Sequence, residues 1–556
     1  MNWVRRKSAV ICIVSLVLLA GLPLLPVLLG EGWPANHEEN AFDVRTYIHA
    51  EHLRQGDWFP IWASADNDRF GSFQPLLYHK LFYALSGPLY VLIGHIKSAM
   101  LICLWLWMAV GATGTYVLCR GLRCGQGFAW CGGVMLIVAN YTTTNWLVRG
   151  AMAEFSAAML VPWVLAAFAQ WLMLEENRYR ASMALGLIAG LMFLAHSVLT
   201  YYLAILLGVA TLLMVTTRQL SLRRLMPMPL LTGAASFAAI AGPGMLAMYL
   251  VGRDHDLKRM LSHPYTPEHQ MHPAMRYIWD IDFKWGKLWT GYTMQLDAPV
   301  LVLLLGGLIA ALTTRSASVA VRPGGNTLTG GQRVVVLALV IGLALSLLLQ
   351  TTWAIPFYRY FPGAAYIQFP WRLLAFITPV MIALSLWLWH TVPSVLSVPV
   401  VAGTLAASVW LSGAWAPAVF LEKPVTLGLR DLHYGVLGEY VPLKAGAVFF
   451  YKESDVAKLL EQAGCRLEAS PRMNGEPAEQ MVQEYVLNCD RPGTYPLPLF
   501  GSPLHVVETG ELDKRPIGQR CAEAPEAPGL CAVRLERAGR HQIRIRMPSL
   551  GSLLGL

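Results

Sequence analysis

The chain has 556 residues, of which 55% are hydrophobic and 14% charged, and its mean hydropathy is +0.46. Soluble domains carry roughly 25% charged residues, so this composition excludes an ordinary soluble protein. The net charge of +9 does not indicate nucleic-acid binding. Acidic and basic residues nearly balance after residue 422, and much of the excess lies in short loops between apolar segments.

The apolar segments predict a polytopic α-helical membrane protein with about eleven transmembrane helices, because a helix needs roughly 20 residues to cross the hydrocarbon core. The segment 182–216 is too long for one straight span, and we divide it at His196. The predicted spans lie near residues 8–30, 98–118, 128–145, 156–175, 182–195, 198–216, 228–251, 298–313, 334–352, 371–390 and 394–415.

The basic residues of the short loops predict the orientation of these spans, since such loops mark the cytoplasmic side. They are Arg5, Arg6, Lys7, Arg120, Arg123, Arg178, Arg180, Arg218, Arg223, Arg224, Arg315, Arg322 and Arg333. We expect the first apolar segment to be a retained helix, because it is longer than the apolar region of a signal peptide. The loops 31–97 and 252–297 and the C-terminal region then lie outside.

The C-terminal region has ordinary polarity, and we expect two domains: a transmembrane domain over 1–415 and an outer β-rich domain over 416–556. The alternating segments CAVRLER and HQIRIRM predict short strands there. This region contains four cysteines on the oxidising side. We favour the pairings Cys465–Cys489 and Cys521–Cys531, although four cysteines allow three connectivities.

The first outer loop, which begins EGWPANHEENAFDVR, carries carboxylates a few residues beyond the first span. Glu38, Glu39 and Asp43 are therefore candidates for a general base near the outer membrane surface. Arg45 lies close to them and is a candidate cavity residue. The competing interpretation is a solvated acidic turn ahead of the next helix.

Charged residues also lie at the outer ends of spans, where they are costly unless paired or functional. In NWLVRGAMAEF, Arg149 and Glu154 are five residues apart, so they pair only if the turn is irregular. In IQFPWRLL, Pro370 suits the first turn of a helix. Gln368 and Arg372 are candidates to face a ligand, as is His196 of LAHSVLTYY, which a packing role also explains.

The second outer loop mixes cations with histidines and aromatic residues. Arg253, Lys258 and Arg259, together with Arg149 and Arg372, are candidates to bind a phosphate. The histidines of this loop match no closed zinc pattern. We therefore expect no cofactor, with one alternative left open: a divalent metal held by the histidines of this loop, His255, His263, His269 and His272, with Asp254, Asp256 and Glu268.

Several of these segments together resemble a known family. IQFPWRLL, VRGAMAEFSAAMLVPW, LAHSVLTYY, GEYVP and the segment from GDWFPIW to YHKLFY are similar to bacterial membrane proteins labelled 6-pyruvoyl-tetrahydropterin synthase-related. That family is grouped with the GT-C superfamily of membrane glycosyltransferases, and the resemblance covers about residues 1–445. The resemblance implies a GT-C-like fold. The family label does not imply pterin chemistry here, because the chain lacks the zinc-binding HxH pattern of the soluble synthase.

The resemblance also implies an activity: inverting transfer of a hexosyl or pentosyl group, without a cofactor. The implied partners are a polyprenyl-phosphate-linked sugar, membrane lipids and a glycan or glycolipid acceptor of the cell envelope. Related sequences carry an Asp eighteen residues before the Gly of a G-x-x-x-P-x-W segment. Counting back from Gly56 reaches Glu38, so this chain has Glu there.

Two other functions fit the same residues. One is a non-catalytic membrane component of envelope polysaccharide assembly that binds a lipid carrier, for which the carboxylates would be dispensable. The other is a transporter, which paired broken helices in the two halves would indicate. AGPG at 241–244 breaks one helix, and we find no matching partner for it.

Overall fold

The structure is a computed structural model. It describes residues 2–30, 33–34, 36, 38, 41–173, 177–221, 227–253, 255, 261, 265–271, 274–278, 295–318, 330–412, 422–423, 452–474, 479–510, 517–524 and 526–554.

Helices dominate the first 412 residues. In chain order they are α1 (Asn2–Leu19), α2 (Leu25–Leu29), α3 (Ala41–Arg54), α4 (Asp66–Arg69), α5 (Gln74–Leu77), α6 (Leu81–Ile93), α7 (Ile96–Gly121), α8 (Gln126–Val138), α9 (Asn140–Thr143), α10 (Met152–Met173), α11 (Arg178–Ala195), α12 (Ser197–Thr216), α13 (Pro227–Gly252), α14 (Ala274–Ile278), α15 (Ala298–Ser318), α16 (Gly330–Leu348), α17 (Ile355–Tyr360), α18 (Leu374–His390) and α19 (Ser394–Trp410). The C-terminal region adds α20 (Glu453–Gln462) and α21 (Leu550–Leu554).

The helices confirm a polytopic α-helical membrane protein. Within the described residues, eight helical segments are long and apolar enough to cross a membrane, and four more apolar helices are shorter. Each predicted span overlaps one of these twelve segments, while the number eleven stays a prediction. The division at His196 is confirmed, because α11 ends at Ala195 and α12 begins at Ser197. The predicted span 128–145 is wrong at its end, since Ala139 leaves the helical region with ψ 144°.

The strands form antiparallel sheets. They are β1 (Trp33–Pro34), β2 (Glu422–Lys423), β3 (Cys465–Ala469), β4 (Val482–Cys489), β5 (Gly493–Phe500), β6 (Val506–Gly510), β7 (Ile517–Arg520), β8 (Ala522–Ala524), β9 (Ala527–Leu535) and β10 (Gly539–Arg546). The strand orders are β3-β4-β10-β6-β7, β5-β9-β8 and β1-β2. A β-rich C-terminal region is therefore confirmed.

The alternating sequence of β10 explains its position in the sheet. Its side chains alternate between buried and exposed, with Ile543 and Ile545 fully buried, which is the period of a strand with one face on a core. That core also contains Leu499 and Val533 of the second sheet. Two disulfides, Cys465–Cys489 and Cys521–Cys531, lie in this region, and these are the pairings that the sequence favoured.

Contacts between Cα atoms gather the chain into two compact units. The first unit contains residues 1–39, 100–243 and 263–425, and the second contains 40–99, 244–262 and 426–556. This grouping differs from the linear boundary at residue 415 that composition suggests. Composition follows the chain, whereas these units are defined by packing between distant segments.

Candidate functional site

A buried ion-pair bridge in the first unit joins two helical segments that are far apart in the sequence. The Glu154 carboxylate accepts hydrogen bonds from Arg149 at both oxygens, with Nη1–Oε1 at 2.6 Å and Nη2–Oε2 at 2.9 Å. The Arg372 Nε donates to Glu154 Oε2 at 3.0 Å. The side chains of Glu154, Arg149 and Arg372 are 2%, 9% and 13% exposed. We call these three residues the arginine–glutamate bridge.

An irregular turn makes this bridge possible. Residues Thr144–Val148 form a π-helical turn, a geometry that is enriched at functional sites. Gly150 then takes φ +68°, which suits glycine because it has no Cβ. The chain therefore reverses between Arg149 and α10, and Glu154 lies in the first turn of α10, where a negative charge is favourable. The sequence condition for pairing, an irregular turn, is met.

Neighbouring polar groups fix Arg149 in place. Its Nη1 also donates to Asn145 Oδ1 at 2.7 Å, and the Tyr141 hydroxyl donates to Glu154. Tyr141 and Asn145 are buried, and neither was predicted from the sequence as a functional residue. The spacing of Asn145 and Arg149, i and i+4 at a helix end, is the signal that could have found the first contact.

Arg372 is held less completely. Its Nη1 donates to the Ile367 carbonyl at 2.8 Å, and its guanidinium lies 4.8 Å from the centre of the Phe369 ring. Among the described residues, no hydrogen-bond partner contacts its Nη2. The protein therefore holds Arg372 through Nε and Nη1, and Nη2 remains able to bind a ligand.

The backbone of the segment before α18 is strained at Gln368, four residues before Arg372. Gln368 takes φ 58°, and its Oε1 lies 3.5 Å from Arg372 Nη1. Pro370 occupies a first-turn position, as the sequence predicts, in the 3₁₀ turn Pro370–Leu373. Trp371 is buried and its ring lies 4.8 Å from that of Phe369, so it is a packing residue.

The segment that follows α2 reaches the same turn through Asn36. A Cβ added to Gly150 would lie 2.4 Å from Asn36 Oδ1, so the Asn36 side chain packs directly against this glycine. Glu38 follows two residues later, in a turn, and is half-buried. Glu39 lies outside the described residues. The candidate base Glu38 therefore belongs to a segment that contacts the turn next to Arg149.

His196 has a structural task. It takes an extended conformation between α11 and α12, and its Nδ1 accepts a hydrogen bond from the Leu199 amide at 3.2 Å. This is an N-cap contact that satisfies one free amide of the helix. The packing interpretation explains His196, while its role as a cavity residue stays a prediction.

The other candidates belong to the second unit or to undescribed positions. Asp43 is buried and accepts a hydrogen bond from the Val44 amide, and the Arg45 guanidinium lies 3.9 Å from the centre of the Tyr78 ring. Arg253 is exposed beside the Tyr249 ring. Lys258 and Arg259 lie outside the described residues.

The second unit contains a polar network that sequence reasoning missed. Glu479 accepts hydrogen bonds from the amides of Ser64 at 2.8 Å and Ala65 at 2.9 Å, and from His52 Nε2 at 2.9 Å. His52 Nδ1 donates to Asp57 at 2.9 Å. Burial lowers the pKa of His52, but these two carboxylates outweigh it and raise the pKa to about 9. Since 427 residues separate His52 from Glu479, no local pattern could predict the pair.

A second acid of this unit is shifted by burial. Asp66 is fully enclosed, accepts a hydrogen bond from the Ser72 hydroxyl, and has its pKa raised to about 7. Within the described part of the chain, no group of three His, Cys, Asp or Glu residues is arranged to hold a metal ion.

Comparison with known proteins gives similarity to solved structures only. No family model matches the chain, and no curated protein matches it. The arabinofuranosyltransferase AftD from Mycobacteria is 15% identical, with a TM-score of 0.44 over 75% of this chain and 27% of AftD. The oligosaccharyltransferase AglB from Archaeoglobus fulgidus, solved with an inhibitory peptide and a dolichol-phosphate, is 9% identical, with a TM-score of 0.48 over 79% and 61% of the two chains.

A third solved structure is ArnT from Cupriavidus metallidurans bound to undecaprenyl phosphate, 14% identical, with a TM-score of 0.31 over 70% of this chain and 77% of ArnT. All three are GT-C glycosyltransferases. The chain spans less than two thirds of the length of AftD and AglB. At these identities and scores the similarities assign no activity, and the narrower resemblance to the 6-pyruvoyl-tetrahydropterin synthase-related family stays a prediction.

Proposed function

We propose that this chain is an integral-membrane glycosyltransferase of the bacterial inner membrane. It moves a sugar from a polyprenyl-phosphate-linked donor to a hydroxyl group of an envelope acceptor, on the outer side. The observation that carries this proposal is the arginine–glutamate bridge, which is buried among apolar helices and, within the described part of the chain, leaves one Arg372 amine without a hydrogen-bond partner.

The charge of the bridge suits the phosphate of a lipid-linked sugar. Two guanidinium groups face one carboxylate, so the bridge carries one excess positive charge. A sugar–phosphate–polyprenol is a phosphodiester with one negative charge. Unbalanced charge near the membrane is costly, and an arginine amine is well suited to bind a phosphate oxygen.

The two arginines have different tasks in this proposal. Arg149 is a positioning residue, because Glu154 and Asn145 already engage its donors. Arg372 contacts the phosphate through Nη2 while Nε holds Glu154. The phosphate leaves with the electron pair of the broken bond to the anomeric carbon, and Arg372 stabilises that charge.

Glu38 is the proposed general base. The acceptor oxygen attacks the anomeric carbon as its proton passes to the Glu38 carboxylate, so that the configuration inverts. The contact between Asn36 and Gly150 supports this assignment over Asp43. Phosphate is a good leaving group, so a single carboxylate suffices.

The test is mass spectrometry of lipid-linked sugars and surface glycans in a deletion strain complemented with variants. We expect wild type and Asp43→Asn to restore a lost sugar decoration, and Glu38→Gln to express normally without restoring it. Full restoration by Glu38→Gln would refute its role as the base. If Glu38→Gln, Glu39→Gln and Asp43→Asn all restore the decoration while Arg372→Gln does not, the chain is a non-catalytic component that binds a lipid carrier.

A further inference from the structure

A groove in the first unit lies between the end of α12 and the beginning of α16. None of the residues that line it belongs to the arginine–glutamate bridge. Its volume is about 590 Å³. Its apolar wall consists of Leu213, Val336, Leu337, Val340 and Ile341. Both α12 and α16 are long and apolar enough to span a membrane, so this wall is compatible with the hydrocarbon region.

One end of the groove is polar, where Thr217, Gln219 and Arg333 line it. Arg333 is exposed, and no hydrogen bond or ion pair joins it to another residue in the described parts of the chain. Arg218, next to Thr217 in the chain, adds a second exposed cation. At the end of an apolar groove there is therefore a positive charge that no carboxylate of the described residues neutralises.

The C-terminal cap of α12 positions the residues at the polar end of the groove. The Gln219 amide donates to the Met214 carbonyl at 2.8 Å and the Arg218 amide to the Val215 carbonyl at 3.0 Å. These are the two bonds of a Schellman motif, in which the left-handed position usually belongs to glycine. Here Arg218 occupies it with φ 59°. The helix carbonyls are thus satisfied by the chain itself. The Thr217 hydroxyl donates to the Leu213 carbonyl and the Gln219 side chain to the Thr217 carbonyl, so among the described residues Arg333 is the polar group of the groove that can bind a ligand.

We propose that this groove binds an anionic phospholipid of the bilayer, with an acyl chain along the apolar wall and the phosphate at Arg333. The wall from Arg333 to Ile341 extends roughly 12 Å along α16, which accommodates part of one acyl chain. Basic pockets between transmembrane helices on the cytoplasmic side bind lipid headgroups, and the basic-loop pattern predicts that Arg333 lies on that side.

The test is native mass spectrometry of the full chain in detergent micelles with equal amounts of phosphatidylglycerol and phosphatidylcholine. We expect wild type to retain more phosphatidylglycerol, and Arg333→Gln to reduce its occupancy roughly five-fold. Arg333→Lys should retain most of it because the charge remains. Leu337→Trp should reduce both lipids, because the larger side chain fills the groove.

Arg180→Gln is the matched control, since Arg180 is exposed, is predicted to lie on the same side and does not line the groove. It should leave phosphatidylglycerol occupancy unchanged. The proposal is overturned if Arg333→Gln retains the lipid as wild type does, if wild type takes both lipids equally, or if Arg180→Gln loses as much as Arg333→Gln.

Discussion

At the scale of single residues, a buried carboxylate and an exposed one can make similar contacts with very different consequences. Glu154 faces two arginines in a nearly dry environment, whereas Glu268 pairs with Arg359 at the surface. Water and salt screen the surface pair, and such pairs contribute roughly 0–1 kcal/mol. In the buried bridge, loss of the carboxylate leaves two charges without compensation.

We therefore predict that Glu154→Gln lowers the free energy of unfolding by about 3–5 kcal/mol, while Glu268→Gln changes it by less than about 1 kcal/mol. Thermal unfolding of the purified variants in detergent provides the measurement. Equal midpoints for the two variants would contradict the importance of the bridge.

His52 gives a prediction that depends on pH. The unfolded residue titrates at 6.5, and the folded one at about 9 because two carboxylates hold its charged form against the effect of burial. This stabilisation is fully present below pH 6.5. Between pH 6.5 and 9 the folded state retains a proton that the unfolded state has released, so stability falls as pH rises. The total loss is roughly 3 kcal/mol.

His52→Gln removes this titration. Its unfolding midpoint should lie below that of wild type at pH 6, and the gap should narrow as the pH approaches 9.5. His95→Gln removes an exposed histidine that caps α7 through the Ser98 amide, so it should differ from wild type by an amount that stays constant over this pH range. A gap of constant size across this range would show that the titration of His52 does not contribute.

Sequence reasoning at this scale singled out Arg149, Glu154, Gln368 and Arg372 from their position at span ends. It could not show that a single carboxylate joins both arginines, because Arg372 is 218 residues from Glu154. Hydrophobic periodicity reports which face of a helix is buried, and it carries no information about which distant polar group will meet it.

At the scale of elements, the turn between α9 and α10 positions the bridge more than either helix does. The π-helical turn and the positive φ of Gly150 bring Arg149 back towards the first turn of α10. The sequence indicated that pairing needs an irregular turn, and the break at His196 was also predicted correctly. The end of α8 at Val138 was missed, although the polar stretch NYTTTN at residues 140–145 could have indicated it.

Gly150→Ala tests this turn. The added Cβ would lie 2.4 Å from Asn36 Oδ1, and the alanine backbone would have to adopt a left-handed conformation. We therefore expect a loss of stability of roughly 1–3 kcal/mol. We also expect the variant to lose glycan transfer in the complementation assay. Gly208→Ala is the matched control, because nothing lies within 4 Å of its added Cβ in the interior of α12. It should be neutral or slightly stabilising. Similar effects of both substitutions would contradict the role of the turn.

At the scale of the whole molecule, composition predicted a membrane protein with a β-rich C-terminal region, and the structure confirms both. It did not foresee that residues 40–99 group with the C-terminal sheets. Contacts such as Glu479 with Ser64 and Ala65 create that grouping. Because they join segments more than 400 residues apart, only the folded chain reveals them.

In the proposed function, the arginine–glutamate bridge binds a lipid phosphate through Arg372. The most direct measurement is binding of undecaprenyl phosphate and of undecaprenol to the purified chain, by native mass spectrometry. We predict that wild type prefers the phosphate, that Arg372→Gln loses this preference, and that the control Arg359→Gln keeps it. If wild type and Arg372→Gln are both folded and bind undecaprenyl phosphate equally well, Arg372 does not bind the lipid phosphate.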